Sequence, residues 1–252
     1  MANPLYGQNK LDNILDVVSK DRKTYHFGAP PVVIDADSTV ADGVDTNIIE
    51  HAYSDGLHLS VQNVGTQTIL IPAANTSGMD YGYDQTDDEG IQWVMSQNTH
   101  KGNSDGASID RFTVGSPAFF AELTLTVGDV SGTDDCAFVF RKVEAFQAAI
   151  DSYDEMAALN LISGEVKSET ILNNAATSTS AALLSVAGGV SVRLGVYVSK
   201  AGVVSMKING STVTDPSMTF DMGEVVTPFF YMINASDLAD TVVLEKLTVG
   251  RQ

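Results

Sequence analysis

Apolar and polar residues alternate with period two over much of this chain, and that period predicts strands. The clearest runs are Ser108 to Val114, Phe119 to Val127, and Val242 to Val249. The last alternates as Val242, Leu244, Lys246 and Thr248 against Val243, Glu245, Leu247 and Val249. Shorter segments read the same way: Val32 to Ile34, Leu57 to Val61, Thr68 to Ile71, Ile91 to Met95, Ala137 to Val143, Ala157 to Ile162 and Glu165 to Leu172. Val192 to Val198, Val203 to Ile208, Ser211 to Val213 and Val225 to Ile233 complete the set. Turn residues punctuate it, and the whole points to an all-β sandwich. In Glu165 to Leu172, Val166 and Ile171 are expected inward under a polar outer face. Val143 to Ile150 suits a short helical turn, Pro72 to Gly90 a long exposed loop, and Asn173 to Ser180 a mobile loop. Lys200-Ala201-Gly202 and Asn209-Gly210 predict hairpins, with glycine at positive φ.

One segment has a different period. Asn9 to Lys23 carries Leu11, Ile14, Leu15 and Val18 at helical spacing, and Pro30-Pro31 stops any continuation. Residues 1–29 therefore read as an N-terminal arm with a short amphipathic helix. Its apolar stripe must pack on its own domain or on a neighbouring subunit. The body, residues 30–252, divides into a β-rich, loop-containing part (30–90) and a more regular part (91–252). No repeat of 20–50 residues is visible, which argues against a solenoid or propeller.

Charge narrows the partners. The chain has 14 Lys+Arg against 32 Asp+Glu, a net of −18. Between Asp35 and Asp110 there are 13 acidic residues and one basic one, Lys101. Such a field repels phosphate backbones and anionic lipids, so neither nucleic acid nor membrane is expected as a partner. The acidic stretch reads as a self-repelling solvated face, or as a docking face for a basic partner or a cation. Cys136 is the single cysteine. It excludes an intrachain disulfide and a multi-cysteine zinc site, and its apolar surroundings predict a small buried hydrophobe.

Candidate chemistry is sparse. No Glu-x-Asp-x-x-Glu pattern is present, and Glu165 and Glu169, with Lys167 between them on the same face, read as a solvated charge ladder. His26, His51, His58 and His100 form no His-x-x-x-His pair and flank no nucleophile motif. Gly188-Gly189 lacks the lysine and the strand-to-helix context of a phosphate cradle. No catalytic or cofactor-binding residue is nominated. Calcium is the ion this chain suits best: Asp80, Asp84, Asp87, Asp88 and Glu89 supply hard oxygens in one loop, without EF-hand spacing. Tyr81 and Tyr83 in that loop are candidate sugar-stacking platforms, whereas Trp93 is expected to be buried.

Three features in the block Arg193 to Gly250 resemble the closing part of a concanavalin A-like jelly roll. They are the strand Leu194-Gly195-Val196-Tyr197-Val198, the hairpin Gly202 to Gly210, and the ending Pro228-Phe229-Phe230-Tyr231-Met232 followed by Val243 to Gly250. The likeness is close there and loose from Ile91 onward. It implies a jelly-roll β-sandwich, a fold that hosts lectins, glycosidases and inert structural modules alike. In texture the chain also resembles accessory structural proteins of tailed-phage virions: acidic, poor in cysteine, with an arm and Ala/Thr/Ser/Gly-rich loops. That resemblance implies a non-enzymatic capsid decoration or cement protein, made in the host cytoplasm and bound to the major capsid protein lattice. It would self-associate, with Leu11, Ile14, Leu15 and Val18 contacting a partner. The alternative is a carbohydrate-binding or receptor-binding module of a fibre or tail.

Overall fold

A computed structural model describes residues 22–35, 48–65, 72–82, 89–95, 111–115, 117–131, 133–213, 218–234 and 241–252, and the structural statements below concern these residues. In chain order the strands begin β1 (Arg22–His26), β2 (Val32–Asp35), β3 (Ile48–Ala52), β4 (His58–Val64), β5 (Ala73–Ala74), β6 (Met79–Asp80) and β7 (Gly90–Met95). Next come β8 (Phe112–Thr113), β9 (Phe119–Val127), β10 (Thr133–Lys142), β11 (Met156–Ile162), β12 (Glu165–Ile171) and β13 (Ser178–Thr179). The last are β14 (Leu184–Ser185), β15 (Ser191–Val198), β16 (Val204–Ile208), β17 (Ser211–Val213), β18 (Val225–Asn234) and β19 (Val242–Arg251).

They form two antiparallel sheets. The eight-stranded sheet runs β17-β16-β15-β9-β19-β6-β5, with β1 also paired to β19. The eleven-stranded sheet runs β13-β12-β11-β10-β18-β7-β4-β3-β2, with β14 on β12 and β8 on β18. Leu123, Leu125, Leu194, Val196, Leu244 and Leu247 of the first sheet pack against Trp93, Phe138, Phe140, Leu159 and Phe230 of the second, making one core between them. This is a β-sandwich.

The two sheets differ on their outer faces, and that difference positions the site. On the eleven-stranded sheet a second apolar cluster, including Val94, Val139, Tyr153, Phe229 and Tyr231, lies on the side away from the sandwich core. Because β10 and β18 are covered on both faces, Ala137-Phe138-Val139-Phe140 and Phe229-Phe230-Tyr231-Met232 are continuously apolar instead of alternating. The eight-stranded sheet is apolar inward and polar outward.

Several expectations need correction. Arg22 and Lys23, placed at the end of the predicted helix, begin β1, which pairs with β19 from Arg22 opposite Gly250 to His26 opposite Lys246. Tyr25 and Phe27 are buried there, and that burial holds the segment extended. The rest of the expected helix, with Leu11, Ile14, Leu15 and Val18, lies outside the described residues, as do Thr68–Ile71 and Ser108–Asp110. The region 72–82 is not an exposed loop: β5 and β6 form a hairpin in which Met79 enters the core and Asp80, Tyr81 and Gly82 are buried. Strand β3 was not anticipated, because its Glu50 and His51 interrupt the apolar pattern. Both are nevertheless buried. The helical turn falls slightly later than predicted, as a 3-10 turn at Ile150–Ser152. In β12, Val166 and Ile171 point to opposite faces, the first into the sandwich core and the second into the outer cluster. Its polar residues are not solvated either: Ser168 and Glu169 are buried beside β13, a strand inside the segment expected to be a loop.

The strict alternation read for β19 also breaks. Pairing with β9 shifts register between Leu244 and Lys246, so Glu245 is the extra residue of a β-bulge. Strict period two would put Leu244 and Leu247 on opposite faces, yet both are fully buried in the core. The bulge resolves the conflict. It turns Glu245 and Lys246 outward together.

Candidate functional site

The polar outer face of the eight-stranded sheet is organised in cross-strand rows. Strand register aligns Arg22, Gly250, Phe120 and Tyr197 in one row. The next holds Thr24, Thr248, Glu122, Gly195 and Lys207. The third holds His26, Lys246, Thr124 and Arg193, with Asn209 beside Arg193. Adjacent strands stand roughly 4.8 Å apart, so side chains in a row touch their neighbours.

The first two rows are largely committed to each other. The Tyr197 ring stacks on Phe120 with centroids 5.4 Å apart, Lys207 lies 4.3 Å over Tyr197, and Arg22 lies 5.6 Å over Phe120. Tyr197 donates its hydroxyl to Glu122 at 2.5 Å. Burial, reinforced by that carboxylate, pushes the Tyr197 phenol well above its usual pKa and keeps it protonated.

The third row opens into a recess of about 290 Å³ lined by Thr124, Ser191, Arg193, Asn209 and Lys246. Two local devices build it. The bulge at Glu245 delivers Lys246, and Glu245 itself accepts a hydrogen bond from Thr126 Oγ1 at 2.7 Å. The Asn209-Gly210 turn, with φ of 53° and 86°, places Asn209 so that its Oδ1 accepts from the Arg193 amide at 2.9 Å. A β-carbon on Gly210 would sit 2.6 Å from Arg193 Nη2, so the missing side chain is what lets the guanidinium rest over the turn. The recess thus presents two cations, two hydroxyls and one amide. Of the lining residues the sequence picks out only Asn209, and that as a turn former and not as part of a site. Their register across β15, β9 and β19 is a tertiary fact, and the bulge hides Lys246 from a period-two reading.

Among the described residues, those singled out from the sequence do not gather into a site. The carboxylate of Asp80 accepts from the backbone amides of Gly82 and Val242, both at 3.0 Å, and ties β6 to β19. Burial raises its pKa, and those two bonds oppose the shift. Asp84, Asp87 and Asp88 lie outside the described residues, and Glu89 is half-buried. Among the described residues no three carboxylates, imidazoles or thiols gather to hold a metal. Tyr81 is not a displayed ring: it is buried, shares a 2.5 Å hydrogen bond with Tyr53, and meets His51 Nδ1 at 3.1 Å. Phe27 closes this cluster edge-on to Tyr53 at 5.2 Å. Tyr83 is outside the described residues. Trp93 and Cys136 are buried as expected, Trp93 stacked on Phe230 at 5.5 Å. Glu165 does pair with Lys167, at 3.5 Å, but Glu169 leaves that ladder and accepts from Asn160 Nδ2 at 2.8 Å and Thr179 Oγ1 at 3.2 Å.

A second polar group gathers at one end of the eleven-stranded sheet. Lys142 pairs with Asp154 at 2.6 Å and with Glu224 at 3.7 Å, and buried Glu155 adjoins them. Burial pushes the Glu155 carboxyl up from 4.5 to about 7, offset in part by the hydrogen bond it accepts from the Asp221 backbone. Between pH 4.5 and 7 the folded chain therefore holds a proton that the unfolded chain has released. The contribution of Glu155 to stability should fall as pH rises through this window and stay low above it. Glu155→Gln should remove the loss, raising the melting temperature at pH 8 by about 5 °C and leaving it nearly unchanged at pH 4.5. Thermal unfolding of both proteins across pH 4.5–8 is the measurement. Parallel curves would show that Glu155 does not titrate in this range.

No family model matches the sequence, and no curated protein matches it. Solved structures are similar in fold. The carbohydrate recognition domain of Emp46p, in its metal-free form, superposes with a TM-score of 0.52 at 9% identity, covering 76% of this chain and 87% of that one. The Emp47p carbohydrate recognition domain gives 0.47 at 11% identity, covering 76% and 88%. The binding domain of botulinum neurotoxin serotype D/C gives 0.42 at 10% identity; this chain spans 48% of that domain's length. The Emp46p likeness, above 0.5, agrees with a concanavalin A-like β-sandwich, and at its low identity it speaks to fold alone.

Proposed function

We propose that this chain is a carbohydrate-binding module whose contact surface is the outer face of the eight-stranded sheet, centred on the recess between Arg193 and Lys246. The observation that carries this reading is the convergence of hydrogen-bonding side chains from β9, β15 and β19 and the β16–β17 turn into one recess. Sugars are recognised by such arrays, in which rigid strands hold donors and acceptors at fixed spacing. Sharing a fold with the Emp46p carbohydrate recognition domain supports it further. Because the flanking aromatic faces are already occupied by Lys207 and Arg22, recognition here works through hydrogen bonds and charge instead of ring stacking. The lining residues include no carboxylate, whereas glycoside hydrolysis needs a pair of them. The reading is therefore of binding without cleavage. The virion role anticipated from the texture of the chain gains no support from the fold or from the neighbours described above.

A glycan array probed with the purified chain tests this. At least one carbohydrate class should be retained, and Thr124→Tyr, which fills the recess from a strand position that suits tyrosine, should abolish retention without changing the melting temperature by more than a few degrees. An empty array, or retention that Thr124→Tyr leaves intact, would refute the proposal.

A further inference from the structure

The charges on this face are unequally engaged, and the imbalance indicates what kind of sugar the recess takes. Its rows carry four cations, Arg22, Arg193, Lys207 and Lys246, in a chain whose net charge is −18. Two carboxylates share the face. Glu122 is held by the Tyr197 hydroxyl and Glu245 by Thr126. Arg22 and Lys207 rest on aromatic rings. Arg193 and Lys246 make no ion pair among the described residues, and they are the two cations that line the recess. They stand on the strands to either side of Thr124, with the Arg193 guanidinium over Gly210 of the β16–β17 turn, and the recess lies between them.

Resting on the glycan-binding reading above, we infer that the recess takes a sugar carrying a carboxylate: an acidic pyranose seated with its carboxylate between Arg193 and Lys246. The planar guanidinium of Arg193 matches a carboxylate through two parallel N–H donors, and Lys246 supplies a point charge from the other side. Thr124 and Ser191 then face the ring hydroxyls, as does the amide nitrogen of Asn209, whose oxygen is already taken by the Arg193 backbone. The recess, about 290 Å³, is shallow and open to solvent, so it offers room for one ring's edge and not for a buried chain.

Isothermal titration calorimetry with four probes decides this: 3′-sialyllactose, glucuronic acid, lactose and inorganic sulfate. A sugar carboxylate should bind at least about tenfold more tightly than lactose, and Arg193→Gln and Lys246→Gln should each lower its affinity by about ten- to a hundredfold while leaving the melting temperature in place. Preference between the first two probes separates a terminal sialic acid from a uronic acid as the source of the carboxylate. Lactose binding as well as the acidic sugars, unaffected by either variant, would overturn this inference and leave the glycan-binding reading standing. Sulfate matching the acidic sugars would reduce the recess to a simple anion site and overturn it. If none of the three sugars bound and the glycan array were empty as well, both would fall.

Discussion

Inserting one alanine between Lys246 and Leu247 is expected to destabilise the protein by about 3–6 kcal/mol, enough to unfold many domains. The bulge lets Leu244 and Leu247, which are three residues apart, both enter the core. One extra residue placed after the bulge shifts the phase of everything beyond it and turns Leu247 and Val249 out of the core, at about 1.5–3 kcal/mol each. It also drives Thr248 inward. Glu245→Ala keeps the chain length and loses only the hydrogen bond from Thr126, so it should cost no more than about 1 kcal/mol. Urea unfolding of the two variants separates register from side-chain contact. If the insertion were as stable as the substitution, the phase of β19 beyond the bulge would not be what seats Leu247 and Val249 in the core.

The second large effect concerns Arg141. Its guanidinium is fully buried under the second apolar cluster, 4.5 Å from the Tyr153 ring centroid, 4.7 Å from Phe229 and 5.5 Å from Phe146. Nη1 donates to the backbone oxygens of Lys142 and Glu144, both at 2.9 Å, while Nε and Nη2 have no partner among the described residues. Burial lowers its pKa and, with a smaller opposing effect from Arg141, pushes the Tyr153 phenol up to about 12. Arg141→Ala empties the space that pins residues 143–154 onto the sheet, and should cost about 3–5 kcal/mol, or roughly 10 °C in melting temperature. Arg141→Met fills much of that space without burying a charge, and buried charges replaced by apolar residues of similar volume are often neutral. Methionine should recover most of the loss. Equal destabilisation by the two would mean that the charge, through its carbonyl bonds, holds the segment.

These two residues also show where the sequence was legible. Hydrophobic alternation located β9, β15 and β16 closely, and the Asn209-Gly210 turn announced itself through its chemistry, because only a few residue types tolerate two successive positive φ values. Burial on both faces of a sheet erases alternation, so β10 and β18 appeared only as apolar runs. Polar residues that are buried but hydrogen-bonded mislead in the opposite direction. Asp80 and Tyr81 looked like part of a solvated loop because nothing local reveals that Val242, far along the chain, donates to one and that Tyr53 meets the other. The recess was invisible for the same reason. Thr124, Arg193 and Lys246 occupy three separated segments, and strand order alone makes them neighbours.

The most direct test of the account is where a glycan lands. A titration of ¹⁵N-labelled protein with 3′-sialyllactose, followed by amide chemical shifts, should move Thr124, Ser191, Arg193, Asn209 and Lys246 together and leave the buried segment Met79 to Gly82 and the outer cluster around Arg141 still. Shifts centred on either of those regions, with the recess silent, would contradict it.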